Sequence, residues 1–247
     1  MERSYRIRFD EAGPDGRLRS SGFLRYASDI AWLHSEAAGF GRDWYAARRL
    51  TFLIRAIELD MIDEVTYGTS LSVSTEVIGF RRVWGRRRSE FTLDGQERPV
   101  AVALIDWVLL GEHGKPVSIP AEIAEAYIVP PGTYTPLRFE LGEPPTGAAR
   151  RDFDVRRSDL DPMAHVNNAA YVDFLDEHFL GDDRIGRGLT VPRRYRAEFI
   201  LSAEAGSTVV GRGWQDQPAW CYRLELADGR ELFRARLESD PATWVGG

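Results

Sequence analysis

One ten-residue segment of this 247-residue chain, DLDPMAHVNN at 159–168, concentrates groups that can do acid–base chemistry. It holds two carboxylates, an imidazole and two amides directly before a segment with helical periodicity. A carboxylate such as Asp161 can act as a base toward water or as a nucleophile, and His165 could orient it, hold the water or pass its proton. Pro162 restricts the backbone of the residue before it, which favours a fixed carboxylate at Asp161. The segment is therefore a candidate catalytic centre.

The helix that would position this segment is predicted to begin at its end. Apolar residues recur at helical spacing from Tyr171 onward, with Asn167 or Asn168 as the N-cap. A helix N-terminus carries N–H groups without an intrahelical partner and a partial positive charge, which suits an oxyanion. Capping is the favoured interpretation of the two asparagines, and an oxyanion role is the alternative. Asp159 and Asp161 could equally be turn formers only.

The pattern of predicted elements around this segment occurs twice along the chain. LTFLIRAIELDMIDEVTYGTSLSV and LTVPRRYRAEFILSAEAGSTVVG share a Leu-Thr start, a glutamate (Glu58 or Glu198) and a later Gly-Ser/Thr pair. A helix candidate precedes each copy, and Asp-Gly turns that predict strand hairpins follow each copy. The repeated order predicts an α+β fold of two units, each a curved antiparallel sheet wrapped around a central helix.

A segment rich in proline and glycine separates the two copies. It predicts an N-terminal domain at 1–130, a linker at 131–148 that crosses the surface, and a C-terminal domain at 149–247. The alternative is one mixed domain in which the similarity of the halves is coincidental.

Composition narrows the classes of function. The net charge of −6 and the pI near 5.4 argue against general nucleic-acid binding. The N-terminus lacks the apolar stretch of a signal peptide, and no apolar run approaches the roughly 20 residues that span a bilayer. We therefore expect a cytoplasmic protein. The single cysteine, Cys221, and four histidines without ligand spacing predict no disulfide, no metal site and no cofactor.

Three segments together resemble the acyl-ACP thioesterases, tandem hotdog enzymes that release fatty acids from acyl carrier protein. SDLDPMAHVNNAAYVDFLDE from Ser158 resembles the family's Asp-x-Asn-x-His-Val-Asn-Asn stretch. IDWVLLGEHGKPVSIPAEI from Ile105 resembles the strand pair that ends its first domain, and RRYRAEF from Arg193 resembles its Tyr-Arg-x-Glu strand. The resemblance covers nearly the whole chain. The second domain is also similar to single-hotdog acyl-CoA thioesterases.

The resemblance implies that Asp161, His165 and Glu198 are the catalytic residues. Glu198 would then pair with His165 and set its tautomer, as a second carboxylate commonly does. Glu204 is the alternative second carboxylate, although it lies outside the Tyr-Arg-x-Glu match. The helix N-terminus at Asn167 and Asn168 would supply the oxyanion site.

Two positions depart from the family pattern, and they change the expected chemistry. Met163 replaces an asparagine of the motif, and Phe199 replaces the cysteine after the strand glutamate. A cysteine nucleophile is thus excluded, because Cys221 lies on another predicted strand and outside any motif. The first copy has PDGRLRSSGFLRY where an Asp-x-x-x-His pair would stand. We therefore expect the first domain to line an acyl tunnel and the second to hold the chemistry.

A second segment, FRRVWGRRR from Phe80, concentrates five arginines around a predicted hairpin turn at Gly85. It is either a solvated turn or a docking surface for an acidic carrier protein, because guanidinium groups bind carboxylates and phosphates. The arginines of the predicted docking surface are Arg81, Arg82, Arg86, Arg87 and Arg88.

The resemblance implies a thioesterase that hydrolyses acyl-ACP to free fatty acid and holo-ACP in fatty acid biosynthesis. Its partner would be acyl carrier protein with a phosphopantetheine-linked acyl chain, with no nucleic acid and no membrane. The alternatives are an acyl-CoA thioesterase, a dehydratase of the same fold and a non-catalytic acyl-binding protein. Acyl chain length is left open, and so is the oligomeric state, with a homodimer among the options.

Overall fold

The computed structural model describes residues 1–129, 134–181 and 190–239, which fold mainly as antiparallel strands with a few helices. The strands are β1 (Glu2–Arg6), β2 (Thr51–Met61), β3 (Ser70–Arg81), β4 (Trp84–Leu93), β5 (Ala101–Leu110), β6 (Ala149–Asp154), β7 (Arg193–Phe199), β8 (Thr208–Asp216), β9 (Ala219–Leu226) and β10 (Glu231–Glu238). The helices are α1 (Ser20–Ala37), α2 (Arg42–Arg48), α3 (Ala121–Ala126) and α4 (Asn168–Phe179). Within the described ranges, no helix is long and apolar enough to cross a bilayer.

The two halves of the chain share one sheet of ten strands. Its order is β1-β3-β4-β5-β2-β7-β10-β9-β8-β6, so each half contributes five neighbouring strands. The halves meet where β2 pairs antiparallel with β7, from Ala56 opposite Glu198 to Met61 opposite Arg193. The α+β class and the repeated unit are confirmed. The domain limits at 1–130 and 149–247 stay predictions, because the sheet is continuous across the halves and residues 130–133, 182–189 and 240–247 lie outside the described residues.

Both long helices pack on the same face of the sheet, which we call the inner face. Phe23 of α1 meets Phe91 of β4 edge to face, with ring centroids 5.2 Å apart. Tyr171 of α4 stacks on Phe233 of β10 with centroids 5.6 Å apart. Phe23, Phe91 and Phe233 are fully buried. Burial of each such side chain contributes roughly 1.5–3 kcal/mol, so the helices hold the two halves of the sheet in place.

The turns before α1 and α4 have the same hydrogen bonds. In the first copy the Gly13 N–H donates to the Arg17 carbonyl at 2.8 Å, and in the second the Asp161 N–H donates to the His165 carbonyl at 2.8 Å. A second backbone hydrogen bond closes each turn. The Gly16 N–H donates to the Gly13 carbonyl in the first copy, and the Ala164 N–H donates to the Asp161 carbonyl in the second. The corresponding residues are Gly13, Pro14, Asp15, Gly16 and Arg17 in the first copy and Asp161, Pro162, Met163, Ala164 and His165 in the second. The Asp–His pair therefore occurs in the second copy only.

The hairpin turns match the sequence in two cases and differ in one. Gly95 and Gly229 have φ of +80° and +85°, so both Asp-Gly turns lie where they are predicted. The turn predicted at Gly85 is wrong. Gly85 lies inside β4 opposite Phe80, and the chain turns three residues earlier, where Arg82 has φ +54°. A side chain at Gly85 would meet the Phe80 ring at 3.1 Å, which explains a glycine inside a strand.

The described part of the linker lies across the face of the sheet opposite the helices, which we call the outer face. Residues 134–143, the strap, lack regular secondary structure and bond to side chains from five strands. The anchoring contacts run from Arg81 of β3 and Arg86 of β4 through Asp106 of β5 and Glu198 of β7 to Arg223 of β9. The strap thus crosses from the first half of the sheet to the second.

Candidate active site

A cavity of about 660 Å³ lies on the inner face of the first half of the sheet. Its walls are mostly apolar and aromatic, and include Trp32 of α1, Phe52 of β2 and Trp107 of β5. The Asp161–Met163 turn of the second half closes one side. Met163 Sδ lies 3.6 Å from Thr51 Oγ1, which places this turn beside the start of β2. The cavity therefore lies in the half that is predicted to line an acyl tunnel, with the predicted catalytic turn in its wall.

The carboxylate of Asp161 is held rigidly at this wall. Its Oδ1 accepts the backbone N–H groups of Met163 at 2.8 Å and His165 at 3.1 Å. Within the described residues, Oδ2 accepts no hydrogen bond. One oxygen is thus fixed by the backbone while the other is available to a ligand. This geometry suits a carboxylate that accepts a proton from a bound water.

Asn167 caps α4, as the sequence predicts. Its Oδ1 accepts the Ala169 N–H at 2.9 Å, and Asn168 is the first residue of the helix. The cap satisfies one of the N–H groups that a helix leaves unpaired at its N-terminus. His165 precedes the cap and is exposed, and its ring makes no hydrogen bond or ion pair within the described parts of the chain. The partial positive charge of the helix terminus therefore lies beside the Asp161–His165 turn.

Glu198 does not pair with His165, so this part of the sequence-based prediction is wrong. Along β7, Tyr195 and Phe199 belong to the core on the inner face, and alternation places Glu198 on the outer face. There its Oε1 accepts the N–H of Phe139 in the strap at 3.0 Å. The cause of the error is the period of the strand, which turns adjacent residues to opposite faces.

The alternative carboxylate, Glu204, is exposed in the loop between β7 and β8. It makes no hydrogen bond or ion pair with His165 in the described part of the structure. Phe199, which replaces the family cysteine, packs against Tyr171 and Phe233 in the core. Cys221 is buried on β9, and burial raises the pKa of its thiol. Cys221 also does not line the cavity, so the structure disfavours a thiolate nucleophile, in agreement with the sequence.

The five arginines do not form one docking surface, because Arg86, Arg87 and Arg88 lie on β4 and alternate between its two faces. Arg86 lies under the strap, where it makes two hydrogen bonds, of 2.7 and 2.9 Å, to the fully buried Asp106. Arg87 points to the inner face and lines the cavity. The docking prediction is thus wrong for Arg86 and Arg87. For Arg81, Arg82 and Arg88, which lie at or near the surface, it stays a prediction.

The structure also brings together a polar cluster that the sequence does not indicate. His34 of α1 lies with its Nδ1 3.0 Å from a guanidinium nitrogen of Arg87 and with its ring edge-on to Tyr127. Burial, and next the charge of Arg87, lower the pKa of His34 to about 4. Strand alternation in β4 could have indicated this cluster, because it places Arg87 on the same inward face as the buried Ser89.

Family models place the chain among known proteins. The acyl-ACP thioesterase N-terminal domain matches residues 1–127, and the acyl-ACP thioesterase C-terminal domain matches residues 142–185. The chain belongs to the acyl-ACP thioesterase family, which confirms the resemblance seen in the sequence.

Individual relatives agree with this assignment. The chain is 23% identical over 266 residues to the chloroplastic palmitoyl-acyl carrier protein thioesterase of Cuphea hookeriana, and the match covers 99% of this chain. It spans 63% of the length of that relative. The solved 12:0-ACP thioesterase from Umbellularia californica has a TM-score of 0.81 at 19% identity, with 96% of each chain covered. An acyl-ACP thioesterase from Bacteroides thetaiotaomicron has a TM-score of 0.79 at 15% identity, also over 96% of each chain. These two structures show that the fold is the tandem hotdog fold.

Proposed function

We propose that this protein hydrolyses the thioester of acyl-ACP to free fatty acid and holo-ACP in fatty acid biosynthesis. The observation that carries the proposal is the fixed carboxylate of Asp161 in the wall of an apolar cavity. A volume of about 660 Å³ lies within the roughly 300–1,000 Å³ of small-molecule sites, and apolar walls suit an acyl chain. The curated relatives that the chain matches over 98% or more of its length are named for action on acyl carrier protein.

The chemistry requires an activated water, a site for the oxyanion and a thiolate leaving group. Asp161 Oδ2 takes a proton from a water, and the water oxygen bonds to the thioester carbon. The carbonyl oxygen gains negative charge beside the N-terminus of α4, where the helix dipole stabilises it. The carbon–sulfur bond then breaks, the electron pair leaves on sulfur, and the carrier thiolate takes up the proton that Asp161 removed from the water. His165 lies in the same turn as Asp161 and orients the water.

The acyl group would enter the first half of the chain while the second half supplies the reacting groups. This division follows from the matched turns: Gly13 and Arg17 cannot replace a carboxylate and an imidazole. The two halves therefore have different roles although their backbones are alike. The partner that delivers the substrate is acyl carrier protein, whose phosphopantetheine arm reaches the Asp161 turn.

A second candidate function is non-catalytic acyl binding. Two observations favour it. The Met163 side chain cannot donate a hydrogen bond at the place of the family asparagine, and His165 has no carboxylate partner within the described residues. A protein that only stores or senses acyl groups would need the cavity without an efficient proton relay.

One assay separates these candidates. The purified chain is given a series of acyl-ACP and acyl-CoA thioesters of varied acyl length, and release of free thiol is measured alongside binding. The proposal predicts turnover of acyl-ACP with a higher kcat/KM than acyl-CoA of the same acyl group. Stoichiometric binding of acyl-ACP without thiol release, across medium and long chains, would establish the non-catalytic function instead. Equal or faster hydrolysis of acyl-CoA would refute the choice of carrier.

A further inference from the structure

We propose that Arg87 makes the cavity selective for acyl groups that carry a carboxylate at the end remote from the thioester. Arg87 is the inward-facing cation of β4, it lines the cavity, and it has contacts that hold it in place. The inference deepens the proposed function and rests on it for the identity of the ligand as an acyl group.

The position of Arg87 in the sheet directs its side chain inward. It lies opposite Val77 of β3 and Ile105 of β5, and both Arg87 and Val77 line the cavity. Its neighbours in sequence, Arg86 and Arg88, point to the outer face, where each pairs with a carboxylate. The three successive arginines therefore have different surroundings, and only the middle one faces the cavity.

Arg87 has no acidic partner. Within the described residues no carboxylate forms an ion pair with it, and its contacts are a ring nitrogen of His34 at 3.0 Å and the Tyr127 hydroxyl at 3.3 Å. Proteins normally pair a charge that they remove from water, because an unpaired one is costly. An arginine remains charged under all ordinary conditions. An unpaired guanidinium beside an apolar cavity therefore indicates that the ligand supplies the anion.

The groups around Arg87 restrict its guanidinium but do not neutralise its positive charge. His34 is uncharged near pH 7, since its pKa is lowered to about 4, so its Nδ1 can accept a hydrogen bond from Arg87. The Arg87 guanidinium also lies 5.4 Å from the centre of the Tyr127 ring. Both contacts restrict the side chain and leave its positive charge uncompensated. The planar fork of an arginine then suits a carboxylate better than a single hydroxyl.

The distance from the reacting group places this charge at the far end of the acyl chain. The Asp161 turn contacts Thr51 through Met163, and Thr51 lies opposite Leu110 of β5. Arg87 lies opposite Ile105 of β5, so it is five residues along and two strand spacings across from Thr51. With strand dimensions of 3.3 Å per residue and 4.8 Å between strands, the separation along the sheet is roughly 19 Å. A carboxylate bound by Arg87 is thus remote from the carbonyl that Asp161 serves.

Binding of two matched esters tests the proposal without relying on catalysis. The probes are the mono-methyl ester of a long-chain dicarboxylic acid and the dimethyl ester of the same acid, measured by isothermal titration calorimetry. They differ only in the terminal charge. We expect wild type to bind the mono-ester about tenfold or more tightly than the diester, because only the mono-ester offers the guanidinium a charged acceptor. Arg87→Met should abolish this preference, and Arg88→Met on the outer face should retain it.

Three results would overturn the proposal. The first is equal or tighter binding of the diester by wild type, a comparison that holds even if Arg87→Met fails to fold. The second is a preference that survives in Arg87→Met. The third concerns the other source of an anion, the phosphate of the carrier's prosthetic group. If pantetheine 4′-phosphate binds with the same dependence on Arg87 and displaces the mono-ester, the cavity recognises the carrier arm and not a distal carboxylate.

A kinetic comparison distinguishes failure of this inference from failure of the proposed function. The ω-carboxyacyl and alkyl-acyl thioesters of one length are compared on the same carrier. A kcat/KM ratio that favours the carboxylate and falls about tenfold or more in Arg87→Met supports both proposals. Mono-ester selectivity without any thioester hydrolysis would refute the proposed function alone. Hydrolysis of both thioesters with a ratio unchanged in Arg87→Met would refute the selectivity alone.

Discussion

Replacing Glu198 by glutamine and by alanine separates the two roles that a carboxylate in the Tyr-Arg-x-Glu strand could have. In the structure this side chain accepts the Phe139 N–H and lies on the outer face beneath the strap. Glutamine retains an acceptor oxygen of the same reach but lacks the charge. Alanine removes the acceptor and leaves the N–H of Phe139 without its partner.

The expected loss of stability follows from the hydrogen bond between Glu198 and Phe139. A bond to a charged acceptor contributes about 1.5–3 kcal/mol, so Glu198→Ala should lower the free energy of unfolding by about 2 kcal/mol. Glu198→Gln should lower it by about 1 kcal/mol, because a neutral hydrogen bond remains. A group that holds the strap and contacts no substrate should leave kcat within about threefold of wild type, or less than about 1 kcal/mol of barrier.

Urea unfolding followed by fluorescence gives the free energies, and thiol release from acyl-ACP gives kcat. Glu58→Gln is the matched control, since Glu58 is the corresponding glutamate of the first copy and bonds Arg196 at 2.7 Å on the outer face. A drop in kcat of about 10²-fold or more in Glu198→Gln, with little change in stability, would refute the structural role. Glu198 would then act in catalysis despite its position on the outer face.

Three further predictions concern stability. Asp106→Asn should lower the free energy of unfolding by about 3–5 kcal/mol in urea titrations, because it leaves the charge of Arg86 beneath the strap without its partner. The pKa of His34 is about 4 in the folded chain against 6.5 ordinarily, so the unfolded chain binds more protons between these values. The contribution of His34 to the free energy of unfolding should be fully present above pH 6.5 and fall by about 1 kcal/mol toward pH 4. The loss is modest because the ring is only partly buried, and His34→Gln should remove this pH dependence. Ala164, at φ +61°, should gain about 1 kcal/mol of stability on replacement by glycine, measured by thermal and urea unfolding; an unchanged or lower stability would show that the backbone is not strained there.

The doubled fold could be predicted because its signals are local. Alternation in the strands, the Asp-Gly turns and the Asn167 cap of α4 each depend on a few consecutive residues. The turns before α1 and α4 are alike even in their individual backbone hydrogen bonds. Gly16 in the first copy therefore corresponds to Ala164 in the second, and both residues have positive φ. The Asp161 turn is found in the wall of a cavity, which suits the role that its sequence indicates.

The positions that sequence reasoning missed depend on contacts between distant segments. The strap pairs the Leu137 N–H with Asp106 and the Phe139 N–H with Glu198, and a linker without periodicity gives no sign of its partners. The charge run at Arg86 and Arg87 resembles a surface feature, although one residue lies beneath the strap and the other beside the cavity. For Glu198 the alternation of the strand already indicates the outer face, since Tyr195 and Phe199 share the core face.

The most direct test of the central claim is the kcat of Asp161→Asn for acyl-ACP, measured beside its free energy of unfolding. Asparagine keeps an oxygen for the N–H groups of Met163 and His165 but cannot take a proton from water. Asp15→Asn in the corresponding turn of the first copy is the control, since Asp15 Oδ1 accepts the Arg17 N–H at 3.0 Å. We predict that kcat falls by about 10²–10⁴-fold in Asp161→Asn while both variants stay within about 1 kcal/mol of wild-type stability. Near-normal turnover by a folded Asp161→Asn would contradict the account and leave Asp161 a turn former only.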